Sequence, residues 1–184
     1  MSRSLLVFLL CMIGTQGRTV AQTQIDTDRS SLMIHVEKTG LLSAAGHEHT
    51  VTAPISAGAI TEGPRPTFSF RVAAANLAVL PVDHQAEIQR SMQERALESS
   101  RFPEITFTSQ SIDLVGENRW TVVGMLMLHG QARSLNIPVR KVDGRYIGTT
   151  TIKQTDFGIH PISAAGGTVK VKNELRIDFS IATK

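Results

Sequence analysis

Thr168 to Ile181 reads TVKVKNELRIDFSI, and it alternates apolar and polar residues along its length. Val169, Val171, Leu175, Ile177, Phe179 and Ile181 fall on one face, with Lys170, Lys172, Glu174, Arg176, Asp178 and Ser180 on the other. Only Asn173 interrupts the apolar face. Successive side chains of an extended chain point to opposite sides, so this pattern is that of a strand with one face buried.

Working outward, the same alternation marks strands at Ile25–Lys38, Glu48–Ile60, Thr67–Ala74, Glu104–Leu114, Arg119–His129, Ser134–Lys141 and Arg145–Lys153, making eight with the last. Turn signals separate them: Gly40, Gly63-Pro64, Gly116-Glu117-Asn118, Gly130, Asp143-Gly144 and the loop HPISAAGG from His160. Asp143-Gly144 is the best tight hairpin, because both residues tolerate positive φ. One segment departs from the rule. In Asp83–Ser100, Ile88, Met92, Ala96 and Leu97 recur at helical spacing, and the helix should end before Phe102-Pro103.

Eight antiparallel strands with one helical insertion favour an all-β, closed antiparallel barrel, since closure removes the unpaired edges. A β-sandwich is the alternative. A barrel of this strand number is filled by its own side chains or holds one small ligand. Trp120 to Leu128 is apolar on both faces: Trp120, Val122, Leu126 and Leu128 on one, Val123, Met125 and Met127 on the other. The second face should be covered, most simply by the helix, or Met125 and Met127 form an adaptable wall for a chain-like ligand.

The 184 residues, 41% hydrophobic and 19% charged, suit one globular domain. Residues 1–21 stand apart: Arg3 precedes the apolar run LLVFLLCMI (Leu5–Ile13), and small residues surround a cleavage point after Ala21. That is the pattern of a secretory signal peptide, which would leave residues 22–184 as the domain. Export to the periplasm, or secretion, is the expectation. Lipid anchoring through Cys11 is the lesser reading, because Leu10 is large for that processing. The run is too short to cross a bilayer, so the mature chain is expected to have no integral membrane segment.

Cleavage would remove Arg3, Arg18 and the only cysteine, leaving 17 basic against 16 acidic side chains. Disulfides and thiolate chemistry are then excluded. Arg140, Lys141, Arg145, Lys170 and Lys172 fall on polar strand phases or in turns, which reads as a solvated outer face. With 5% aromatic residues there is little to stack on bases, and no nucleic-acid partner is expected.

Gly46–Thr50 reads GHEHT. On a strand His47 and His49 share a face, a geometry that suits two ligands of one metal ion, with His35, His84, His129 and His160 available as a third. Cupin barrels add a carboxylate a few residues after such a pair, and here Thr50-Val51-Thr52-Ala53-Pro54 follows. Structural histidines, polar lining of a ligand cavity and a metal site all stay open. No G-x-S-x-G, H-E-x-x-H or phosphate-binding glycine motif occurs, so no enzyme activity and no cofactor are expected.

Three segments together carry a resemblance: ALESSRFPEITFTS (Ala96–Ser109), VVGMLMLHGQARSLNIPV (Val122–Val139) and TDFGI (Thr155–Ile159). In order and spacing they resemble the YceI-like family of exported polyisoprenoid-binding proteins, over nearly all of the mature chain. The resemblance implies a lipocalin-like eight-stranded barrel with an elongated apolar cavity and one helical insertion. It also implies a ligand: a polyisoprenoid, an isoprenoid quinone or a fatty-acid derivative. Many family members carry a His near the end of the first strand, where this chain has Lys38-Thr39-Gly40.

The expected function is therefore a non-enzymatic carrier or storage protein for a long apolar amphiphile. Phe107, Trp120, Leu126, Leu128 and Phe179 are candidate cavity residues, and His47, His49 and His129 candidate head-group contacts, since imidazole donates to a quinone or alcohol oxygen and accepts from an alcohol hydroxyl. The alternatives are a metal-binding module or metal-dependent enzyme centred on His47 and His49, and a small interaction module acting through its outer face. A homodimer is left open.

Overall fold

A computed structural model describes residues 22–39, 49–80, 86–164 and 169–184. The expected signal peptide, His47 and His84 lie outside the described residues.

Eight strands form a closed antiparallel barrel: β1 (Gln22–Val36), β4 (Ile55–Thr61), β5 (Thr67–Ala73), β7 (Glu104–Gly116), β8 (Arg119–Leu128), β9 (Gln131–Val142), β10 (Arg145–Lys153) and β13 (Glu174–Thr183). Consecutive strands are neighbours, and β13 closes the ring by pairing with β1 from Ile25↔Thr183 to His35↔Arg176. The inward phase of β13 is the apolar phase of the sequence: Leu175, Ile177, Phe179 and Ile181 all face the interior.

Two expected strands are interrupted, each for a local reason. Pro54 cannot donate to a ladder, so the segment expected at Glu48–Ile60 divides into β3 (His49–Thr52) and β4. β1 bends with it, pairing β4 near Gln22 and β3 near Val36, and β3 pairs in turn with β6 (Ala78–Leu80). The last strand divides at Lys172-Asn173 into β12 (Val169–Val171) and β13. Asn173 leaves the ladder because its side chain bonds both the amide and the hydroxyl of Thr155. β12 instead joins β11 (Ser163–Ala164) and β2 (Lys38–Thr39) in a small second sheet.

The closing seam needs its own fastening, since β1 carries extra residues between Asp26 and Ser31 that have no partner on β13. Ser30 Oγ stands in for the missing ladder, accepting from Ala182 N–H at 3.0 Å. From β10, Arg145 Nε donates to Ser180 Oγ at 2.7 Å, and a terminal guanidinium nitrogen reaches the Arg29 and Ser180 carbonyls. One guanidinium thus ties three strands across the bulge, and Arg145 is not part of a solvated patch.

The helix is shorter than its pattern suggested and differently placed. α1 (Ala86–Ser91) runs into a wide π turn at Met92–Ala96, where Leu97 N–H reaches back to Met92 O. Gln89 brackets Val79 N–H and Leu77 O, and Gln93 Nε2 donates to Ala74 O and Leu77 O, so two glutamines a turn apart fix the segment against β6. It does not cover the outer face of β8, where Met127 stays 40% exposed. Glu98, at φ 44°, ends the helical segment short of Phe102-Pro103.

Candidate apolar ligand cavity

Two clusters of buried side chains face each other across the barrel. One includes Val51, Ile55, Val72, Leu77 and Val79, the other Phe107, Val122, Leu126, Ile137 and Ile152. Between them lies a cavity of about 1010 Å³, lined mainly by aliphatic and aromatic groups. Its size is at the upper end of ordinary ligand pockets, roughly 300–1,000 Å³.

Glycines on the inward phase set its shape. Gly124 and Gly148 leave room for rings from neighbouring strands, Phe107 over the first and Phe179 over the second. Phe68, Phe70 and Phe107 form a contiguous aromatic surface with ring centroids 5.7–5.9 Å apart. Phe107, Trp120, Leu126, Leu128 and Phe179 all line the cavity, as does His49 at the start of β3.

His129 is placed elsewhere. It occupies the β8–β9 turn at φ 51°, is absent from the cavity lining, and packs its ring 4.3 Å from that of Phe102. Its Nδ1 donates to Phe157 O at 3.2 Å, and its Nε2 lies 3.3 Å from Glu98 Oε1. A second glycine contact completes the joint: a Cβ on Gly130 would stand 2.7 Å from the Phe102 ring. Glu98 and Phe102, His129 and Gly130, and Phe157 come from the three segments ALESSRFPEI, LHGQ and TDFGI. These motifs therefore meet at one end of the barrel, where His129 and Phe102 stay off the cavity lining while Ala96, Leu97, Ile105, Leu128 and Ile159 of the same segments belong to it. His129→Asn, which keeps a residue tolerant of positive φ, is expected to cost about 2 kcal/mol in urea unfolding and to leave ligand affinity unchanged.

The sequence of this protein matches the profile of the YceI-like domain over residues 23–183. The chain belongs to the YceI-like family. Sequence comparison with curated proteins gives no significant match. Among solved structures, BcnA of Burkholderia cenocepacia is similar at 16% identity and a TM-score of 0.61, covering 85% of this chain and 98% of that one. A polyisoprenoid-binding domain from Saccharophagus degradans, implicated in plant cell wall breakdown, aligns at 14% identity and 0.61 over 89% and 97% of the two chains. The YceI protein of Campylobacter jejuni aligns at 12% and 0.53, over 100% and 93%. At these identities the likeness establishes a shared YceI-like fold.

This YceI-like barrel also carries polar side chains at its mouth, among them Lys141, which its charge had assigned to a solvated outer face. At the end where the β4–β5, β7–β8 and β9–β10 hairpins turn, Glu62, Asn118, Lys141 and Tyr146 line the cavity mouth. Tyr146 O–H donates to Glu62 Oε1 at 2.5 Å, and Lys141 Nζ donates to Tyr146 Oη at 3.1 Å and lies 3.4 Å from Glu62 Oε1. The Tyr146 hydroxyl and the Lys141 charge hold the Glu62 carboxyl below its usual range. Burial and the Glu62 bond push the Tyr146 phenol up, and the bond to Tyr146 raises Lys141. The signal was present in the alternation: Leu135, Ile137, Val139 and Lys141 share one phase of β9, so the lysine follows the apolar face inward.

At the opposite end the lining includes Glu87, Ile88 and Arg95 of the helical segment. Among the described residues no group of three or more His, Cys, Asp or Glu converges on a metal position. His47, the other half of the histidine pair, lies outside those residues.

Proposed function

We propose that this protein is an exported, non-enzymatic carrier or store that holds one long apolar amphiphile inside its barrel: a polyisoprenoid, an isoprenoid quinone or a fatty-acid derivative. The observation that carries this reading is the cavity of about 1010 Å³ with apolar walls. Burying each methylene of a chain contributes about 0.8 kcal/mol, so ten carbons supply about 8 kcal/mol before the ordering of the ligand is subtracted. Charged groups gather at the two ends of the cavity, which suits retention of a chain more than chemistry along it. The polyisoprenoid-binding domain with the same fold supports the ligand class. Export rests on Arg3 and the apolar run that follows it.

Trp120, the only tryptophan, lines the cavity and makes its own reporter. Titrating delipidated protein with a long-chain isoprenol is expected to change Trp120 emission and to saturate at one ligand per chain. Unchanged emission, with no isoprenol retained on the protein, would overturn the reading.

A further inference from the structure

The cavity mouth at the hairpin end is built from a charge pair, and the pair has a consequence for what can sit there. Lys141 points inward on β9 and Tyr146 inward on β10, side by side beneath the 62–66 turn, with Trp120 tilted against Tyr146 at a ring separation of 5.8 Å. Lys141 Nζ also lies 4.7 Å from the centre of the Tyr146 ring. An ammonium at the end of an apolar cavity would, standing alone, select an anionic head. Here Glu62 Oε1 shares both the ammonium and the phenol, so the local charge is cancelled and the phenol hydrogen is already used. Of the three ammonium hydrogens two are engaged, and the third, together with the Asn118 amide, remains to meet an acceptor oxygen.

We propose that this triad holds the polar head of the ligand and selects an uncharged, oxygen-bearing head, an alcohol or carbonyl, over a carboxylate. The discriminating residue is Glu62. A carboxylate head would compete with Glu62 for the same ammonium while standing against its negative charge, and a like charge so placed is a means of rejecting a competitor. An alcohol or carbonyl accepts from Lys141 without displacing Glu62. This inference rests on the carrier reading above and narrows it, since fatty acids are then poor ligands and neutral isoprenoids good ones.

Three probes of one chain length separate the two readings: hexadecane, hexadecanol and hexadecanoate, each competed against a bound fluorescent chain at pH 8. The wild-type protein is expected to bind hexadecanol about tenfold more tightly than hexadecanoate, with hexadecane measuring the apolar wall alone. Glu62→Gln should raise hexadecanoate affinity about tenfold by freeing the ammonium, and leave hexadecane unchanged. Lys141→Met should remove the advantage of hexadecanol over hexadecane. An alcohol-to-carboxylate ratio equal in the wild type and Glu62→Gln would overturn the assignment even with all three probes bound. Failure of hexadecane itself to bind the wild type would sink the carrier reading along with it.

Discussion

Gly124→Ala is expected to destabilise the barrel by roughly 3 kcal/mol or more, the upper part of the range for overpacked cores. A Cβ at this position would lie 2.3 Å from Phe107 Cζ and 2.8 Å from the Thr108 carbonyl oxygen. Neither neighbour can retreat cheaply. Phe107 is only 1% exposed and is flanked by Phe68 and Phe70, while Thr108 is held in register opposite Met125. Urea unfolding measures the loss directly. Trimming the ring with Phe107→Leu should recover part of it in the double variant, because the two residues share one space. An alanine variant as stable as the wild type would mean that Phe107 does not occupy the inward face of β8.

The second large effect concerns binding rather than stability. Ile137 stands on the inward face of β9, 8% exposed, on the cavity wall. Ile137→Trp places an indole in the space the chain would occupy, and is expected to weaken long-chain binding about a hundredfold, since the ligand must displace a packed ring rather than enter an open volume. Stability should shift by less than about 2 kcal/mol, because the added volume enters a void and not a filled core. Retained isoprenol per chain, measured by extraction, checks the binding, and the unfolding midpoint checks the fold. A variant that still retains one isoprenol per chain would place the ligand elsewhere.

Much of this architecture is written in alternation. The 168–181 stretch specifies an inward face, and every apolar residue of β13 in that phase reaches the cavity. The positions at which alternation stops reporting are equally particular. Pro54 breaks a ladder without breaking the apolar pattern, so β3 and β4 read as one strand. The pairing of β1 with β13 is fastened across its bulge by Arg145 and Ser30, far apart in sequence. The helical spacing of Asp83–Ser100 located a helix, but not that Gln89 and Gln93 would seat it against β6 instead of over Met127.

The candidate site divides in the same way. Phe107, Trp120, Leu126, Leu128 and Phe179 lie on apolar phases and line the cavity. Lys141 lies on such a phase as well, yet a charged side chain next to Arg140 reads as solvated unless its phase is weighed above its charge. His129 resembles a head-group contact because imidazole suits that chemistry. Its position in a turn at positive φ, between Glu98 and Phe157, makes it part of a joint between segments and keeps it off the cavity lining.

The central claim is that the space inside the barrel exists to hold one long apolar chain. Native mass spectrometry on protein purified without added lipid, compared with the same sample denatured, tests it most directly. The folded species is expected to carry a single extra mass that is lost on unfolding and is recovered from organic extracts as a long-chain amphiphile, and after stripping it should take up one isoprenol per chain. A folded protein that is empty as purified and stays empty in excess isoprenol would contradict it.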